Sequence, residues 1–127
     1  MLEAKIIDCC RRLKLSRNLA EMAQNTDGET HQEYLCKLLE AELKNREVGR
    51  MAKLVKGAGF YSIKTFDAFR FDEVSLPDDL SVESLKSLDF IKEKKNIIMY
   101  GRTGTGKTML SIALGVLACQ AGIPVRF

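Results

Sequence analysis

Apolar residues recur every three or four positions through the first part of the chain and close up into continuous runs near its end. Leu2, Ile6, Cys9, Cys10 and Leu13 fall at helical spacing with Lys5, Arg11 and Arg12 opposite, which predicts an amphipathic helix over residues 2–14. Ser16 is placed to cap a second, shorter helix through Met22, and Asn25-Thr26-Asp27-Gly28 is a turn cluster. Thr30 followed by Glu33 has the spacing of a capping box, so a long helix is expected from about His31 to about Lys56. Its apolar stripe passes through Leu35, Leu38, Leu39, Leu43, Val48, Met51, Ala52 and Val55, and Gly57-Ala58-Gly59 should end it.

The pattern then changes. Phe60 to Phe71 is rich in aromatics and has no long period, which suggests a linker that packs down; one or two of its rings could line a pocket. Leu76-Pro77-Asp78-Asp79 is a turn, and Ser81 should open a short helix through Val82, Leu85 and Leu88 to Ile91. After the charged connection Lys92-Glu93-Lys94-Lys95 comes Asn96-Ile97-Ile98-Met99-Tyr100, which has the composition of a strand buried on both faces, as in a parallel sheet. Thr108 to Cys119 is apolar nearly all round and predicts a buried helix, with Gly122 as its stop and Pro124 just beyond. The expected architecture is α/β: a helical N-terminal domain over residues 1–58, a linker over 59–80, and over 81–127 the first strand, loop and helix of a parallel-sheet domain.

Between that strand and that helix lies Gly101-Arg102-Thr103-Gly104-Thr105-Gly106-Lys107-Thr108, which fits G-x-x-x-x-G-K-[ST] at every position. The chemistry explains the spacing. Glycines let the backbone wrap a phosphate closely, successive amides point inward as an anion nest, and the following helix N-terminus adds positive potential. Lys107 would reach the β- and γ-phosphates of ATP, and the Thr108 hydroxyl would hold Mg²⁺. Met109 completes the segment expected to touch nucleotide.

Composition alters this little. A net charge of +3 with 46% hydrophobic and 29% charged residues suits a globular protein and permits nucleic acid as a partner. The charges along the long helix admit two readings. One is a solvated face with ion pairs such as Glu40–Lys44 and Glu42–Arg46. The other is a track for a DNA backbone from Arg46 to Lys64, with Arg46, Arg50, Lys53 and Lys56 as the contacts. Cys9, Cys10, Cys36 and Cys119 have no disulfide or zinc spacing, and His31 is expected near a helix start. No apolar run approaches a bilayer's width and the N-terminus has no signal-peptide plan, so no membrane role and a cytoplasmic location are expected.

Nineteen residues follow Thr108 and none is Asp or Glu. Phosphate-loop ATPases organise Mg²⁺ and water with an acid at the end of another strand, and this Walker B element is missing here. The central strand also wants neighbours on both edges, and the chain offers at most one more, a cut-short strand starting at Pro124-Val125-Arg126-Phe127, so the sheet would be marginal. Both points suggest a fragment of a longer protein or the product of a truncated gene.

Taken in order, Leu13-Lys14-Leu15, Glu42-Leu43-Lys44-Asn45-Arg46-Glu47, Lys64-Thr65-Phe66-Asp67-Ala68-Phe69, Leu88-Asp89-Phe90-Ile91 and the Gly104–Thr108 loop resemble the N-terminal half of the IstB-like ATP-binding proteins. These are ATPase helpers of insertion-sequence transposases within the AAA+ group, and are similar to the helicase loader DnaC. The resemblance implies a P-loop NTPase domain that binds ATP and Mg²⁺, DNA binding, homo-oligomers on DNA, and a transposase partner. By position it gives Gly101, Gly104, Gly106, Lys107 and Thr108 the phosphate-loop roles; Met109 stands where members often have His. Walker B, sensor and arginine-finger elements have no counterpart. Two other readings are a loader whose N-terminal helices grip a replicative helicase, and an inert relic of a mobile element. A small-molecule kinase is a weaker fit, because its loop usually lies at the extreme N-terminus.

Overall fold

Six α-helices and one 3-10 turn make up the regular structure of the computed structural model, which describes residues Met1–Phe127. They fall into two compact units, Met1–Arg50 and Met51–Phe127.

The first unit holds α1 (Leu2–Arg12), α2 (Leu19–Asn25) and most of α3 (His31–Ala58). Glu3 in the first turn of α1 and Arg11 and Arg12 in its last complement the helix dipole. Three expectations are corrected here. Ser16 does not cap α2, which begins at Leu19; its amide donates instead to both oxygens of Glu42, at 3.2 and 3.1 Å. The cap of α3 is a variant of the expected box: Glu33 N–H donates to Thr30 Oγ1 at 3.1 Å, but the Glu33 carboxylate takes the amide of Glu29, one residue earlier than the box requires. The buried face of α3 also keeps only part of the expected stripe. Leu38 and Glu42 are buried, whereas Leu35, Leu39, Leu43 and Val48 are exposed. Tyr34 and Lys37 pin the preceding turn by donating to the carbonyls of Ala23 at 2.7 Å and Asp27 at 2.9 Å.

The second unit has the apolar core. Leu85, Leu88, Leu110, Leu114 and Ala118 form its buried centre, with Phe66, Phe69, Phe71, Ile97 and Met99 among the side chains packed against it. The aromatic stretch packs down here through a 3-10 turn at Phe66–Ala68. The helix expected from Ser81 to Ile91 is two helices, α4 (Val82–Lys86) and α5 (Asp89–Lys92), because Leu88 adopts the left-handed conformation at φ 61°. Ser81 caps α4 in a reciprocal box with Ser84, at 3.0 and 3.1 Å. The last helix, α6 (Lys107–Gln120), buries seven of its residues, as its all-round apolar composition requires. Mid-helix Gly115 makes room for Phe60, whose ring would lie 2.7 Å from a Cβ there.

The parallel sheet is not present, and no strand forms. Asn96–Tyr100 keeps the alternation of a strand, with Ile97 and Met99 packed on the core and Ile98 and Tyr100 86% and 93% exposed. A strand exists by its ladder of hydrogen bonds to a neighbour, and no backbone group of these five residues has a partner in the chain. Pro124-Val125-Arg126-Phe127, expected as the start of a next strand, forms none and runs to the end of α3. There Phe127 donates its amide to the Ala58 carbonyl at 2.8 Å and sets its ring against Phe60 and Tyr61.

Candidate functional site

The Asn96–Tyr100 segment delivers the chain to the N-terminus of α6 through residues 101–106. Gly104 and Gly106 take φ of 81° and 95°, in the left-handed region where a Cβ is strained. Gly106 is the N-cap of α6, and as glycine it has no side chain to satisfy the first turn. Consequently the four successive amides from Gly106 to Met109 donate to no acceptor in the chain.

Lys107 lies over the loop that precedes it. Its ammonium donates to the carbonyls of Gly101 at 2.8 Å and Arg102 at 2.7 Å, with Thr105 Oγ1 3.4 Å away. The Thr105 hydroxyl in turn donates to the Arg102 carbonyl at 2.7 Å. Arg102, Thr103 and Thr108 are exposed, Met109 is half-buried, and the Thr108 hydroxyl is an oxygen donor of the kind a hard cation takes. The loop carries two cations, Arg102 and Lys107, and no acid. Together with the positive end of the helix dipole, this arrangement favours a polyanion. The structure therefore brings together all nine residues that the sequence marks out, 101–109.

Beside the loop is a cavity of about 420 Å³. Gly101, Thr105, Gly106 and Lys107 of the loop line it together with Phe69, Leu76 and Pro77; Glu73 is the one acid on it. That volume lies in the range that holds a small-molecule ligand. Of the aromatic stretch Phe60 to Phe71, Phe69 is thus the ring that lines the pocket, with Tyr100 the other aromatic on it; composition alone did not single Phe69 out.

The basic residues of α3 divide. Arg46 is engaged structurally: Nε donates to Glu42 Oε1 at 2.9 Å and a terminal nitrogen donates to the Lys14 carbonyl at 2.9 Å. Hydrogen bonding from Ser16, first by its side chain, then from the Arg46 guanidinium and the Ser16 amide, holds the Glu42 carboxyl below its usual range against the opposing effect of burial. Arg50 in the first unit and Lys53 and Lys56 in the second are exposed and form no ion pair. The Glu42–Arg46 pair of the solvated-face reading forms, whereas Glu40 accepts from the Cys36 thiol at 3.7 Å and not from Lys44. Nothing in spacing signals the Glu42 clamp, since its partners Ser16 and Lys14 lie far away in sequence. No group of three His, Cys, Asp or Glu side chains is placed to hold a metal, and no helix is long and apolar enough to cross a membrane.

Comparison with known proteins identifies the setting of this loop. Residues 10–127 match the family described as IstB-like ATP binding protein. A protein of Geobacillus stearothermophilus, named as an ATP-binding protein of insertion sequence IS5376, is 31% identical over 131 aligned positions, covering 99% of this chain and 52% of the relative. One from Pseudomonas aeruginosa, named likewise for insertion sequence IS21, is 37% identical over 97 positions, 76% of this chain and 37% of the relative. A third, from Mycobacterium tuberculosis, is 31% identical over 122 positions, 92% and 49% of the two chains. The chain spans about half the length, or less, of these relatives. With the match running through the phosphate loop and almost every residue before it, the chain belongs to the IstB-like family of insertion-sequence ATP-binding proteins.

Proposed function

We propose that residues 101–109 bind the phosphates of ATP with Mg²⁺, and that the chain is the nucleotide-holding part of a protein that assists a transposase through ATP-dependent assembly on DNA. The observation that carries this reading is the run of four unpaired amides at the mouth of α6, in the same loop whose Gly101 and Arg102 carbonyls hold the Lys107 ammonium. Gly101, Arg102, Thr103, Gly104, Thr105 and Gly106 form the cradle. Lys107 transfers its bonds from the loop carbonyls to the β- and γ-phosphates, and Thr108 supplies an oxygen to Mg²⁺. Binding phosphate and Mg²⁺ is the step these residues carry. In the assembled ATPase domain, Asn96–Tyr100 would be a strand of a parallel sheet, a role its unpaired backbone and bare Ile98 and Tyr100 support.

Equilibrium binding of a fluorescent ATP analogue to residues 1–127 with Mg²⁺ tests the reading. Saturable binding that ATP competes away, and that Lys107→Ala abolishes, is the expected result. Equal binding by the variant would remove Lys107 from its role.

DNA contact through α3 is the second part of the reading. It rests on Arg50, Lys53 and Lys56, which are exposed and unpaired, with Arg46 contributing its exposed face while held by Glu42. Neutralising a contact residue should lower the slope of log affinity against log salt by about one unit for each phosphate lost. An unchanged slope would remove that residue from the interface. Homo-oligomers on DNA and recruitment of transposase follow from the same reading, and sedimentation with and without DNA and ATP checks the first of these.

A further inference from the structure

We propose that Phe69 is a positioning residue of the phosphate loop, bracing the backbone at Gly106 so that the amides of Lys107 and Thr108 face outward together. This rests on the reading that the loop holds phosphates. A Cβ at Gly106 would stand 3.2 Å from Cε2 of Phe69 and 4.0 Å from Cζ, so the edge of the ring occupies the space a side chain would take. Gly106 is the N-cap of α6 at φ 95°, and its torsions set the direction of the amides that follow. A glycine in that position has several backbone wells open to it. The ring edge closes off the space into which the N-cap would otherwise relax.

The ring is itself held in place. Phe69 closes the 3-10 turn by donating its amide to the Phe66 carbonyl at 3.1 Å. It meets Phe71 edge to face, centroids 4.8 Å apart at 72°, and Phe71 stacks on Phe66 at 5.8 Å and 15°. The Lys86 ammonium of α4 sits 5.4 Å from the Phe66 centroid and 5.7 Å from that of Phe71. A continuous line of contacts thus runs from α4 through three rings to the one glycine whose conformation orients the phosphate-facing amides. Pre-organisation of this kind raises affinity by removing the ordering cost from the binding step. Phe69 is half-buried and lines the cavity, so it serves the loop as well as the core.

Phe69→Leu keeps most of the apolar volume and removes the ring edge. The test measures binding of inorganic tripolyphosphate, ATP and adenosine to wild-type 1–127, Phe69→Leu, Phe69→Tyr and Lys107→Ala, with unfolding of each free protein alongside. Bracing predicts that Phe69→Leu weakens tripolyphosphate and ATP by the same factor, about tenfold, with little change in melting, and that Phe69→Tyr binds as wild type. Unchanged tripolyphosphate affinity beside weakened ATP and adenosine would make Phe69 a base contact and overturn the proposal. So would equal loss in the leucine and tyrosine variants. Phe69→Met fills the same volume with a flexible chain and gives the same comparison if the leucine variant does not fold; failure of both to fold would make Phe69 a core residue only. If Lys107→Ala binds tripolyphosphate as well as wild type does, the phosphate reading of the loop fails and the bracing role goes with it. If only Lys107→Ala loses binding, the loop reading stands and the bracing role alone is refuted.

Discussion

The two units solve the same packing problem with different materials. Met1–Arg50 buries Cys10, Ala20 and Leu38 and, among them, a carboxylate: Glu42 is only 4% exposed. Most of its larger apolar side chains, including Leu2, Leu13, Leu35, Leu39 and Leu43, are exposed. Hydrogen bonds from Ser16, Arg46, Tyr34 and Lys37 hold its helices and turns in place. Met51–Phe127 buries leucines, Ile112 and Val116 around α6 and closes the core with phenylalanines. The loop of residues 101–109, proposed to hold phosphates, is set on this second unit. A site that must hold amides in one geometry gains from a scaffold whose rotamers are locked by close packing. A unit held by polar clamps is more sensitive to charge and pH, and it keeps much apolar surface open.

That contrast predicts its largest effect in the apolar unit. Leu85, 2% exposed at the centre of the cluster, should cost about 2–5 kcal/mol on truncation to alanine, through lost transfer energy and the cavity left behind. Denaturant unfolding gives the cost, and hydrogen exchange shows where it falls. Amides of α4, α6 and the loop should lose protection while those of α1 and α2 keep theirs. Equal loss throughout would show the two units to be one cooperative block and break the comparison.

The next effect belongs to the polar unit. Glu42→Gln keeps the shape but removes the charge that the Ser16 amide and Arg46 address, and should cost about 1–3 kcal/mol, confined to α1, α2 and the first turns of α3. The sign of the pH dependence follows from the lowered carboxyl. A carboxyl whose folded pKa lies below its unfolded value, about 4.3, stabilises the fold fully above that value and loses the contribution as pH falls through the folded one. Glu33 is shifted the same way by its hydrogen bond from Lys37 and by the Glu29 amide, and adds to the trend. Acid should therefore loosen the first unit before the second, and Glu42→Gln should flatten that dependence. An acid profile the same in the variant as in wild type would take Glu42 out of the account.

What was legible in the sequence was local. Gly106, Lys107 and the all-round apolar run of α6 dictate their structure within one turn or one face, and both loop and helix stand where the pattern placed them. The sheet was not legible as this chain's own structure, because a strand depends on a neighbour and Asn96–Tyr100 has none here. The buried face of α3 was legible only at Leu38, because leucines lie on more than one side of the helix. Long-range partners at Ser16 and Lys14 select the Leu38–Glu42 side, and no local spacing reveals them. The break at Leu88 is invisible for a related reason. Left-handed geometry is signalled by glycine, and here a leucine adopts it. In the candidate site the loop's place between Asn96–Tyr100 and α6 was readable, but the ring of Phe69 against Gly106 was not, since five other phenylalanines share the chain.

The smallest effect sharpens the comparison because it should be the same in both units. Helices α1, α5 and α6 end by one device: a residue with positive φ, followed by an amide that reaches back to the carbonyl five residues before it. In α6 the residue is Gly122 at φ 80°, with Ile123 N–H to Ala118 O at 2.9 Å. In α1 it is Lys14 and in α5 Lys94, both at φ 56°, with Leu15 N–H to Cys10 O and Lys95 N–H to Phe90 O each at 2.8 Å. A side chain in the left-handed region costs about 1 kcal/mol, and glycine relieves it while adding some entropy to the unfolded chain. Lys14→Gly and Lys94→Gly should each therefore stabilise by a few tenths to about 1 kcal/mol, one in the polar unit and one in the apolar unit. Local backbone strain does not depend on what the rest of a unit is made of, so denaturant midpoints should rise similarly for both. Lys14 has one further tie, because its carbonyl accepts from Arg46. A gain at Lys94 without one at Lys14 would show that the αL turn of α1 is coupled to the Glu42 clamp, and that the polar unit has no strain that can be relieved independently of its hydrogen bonds.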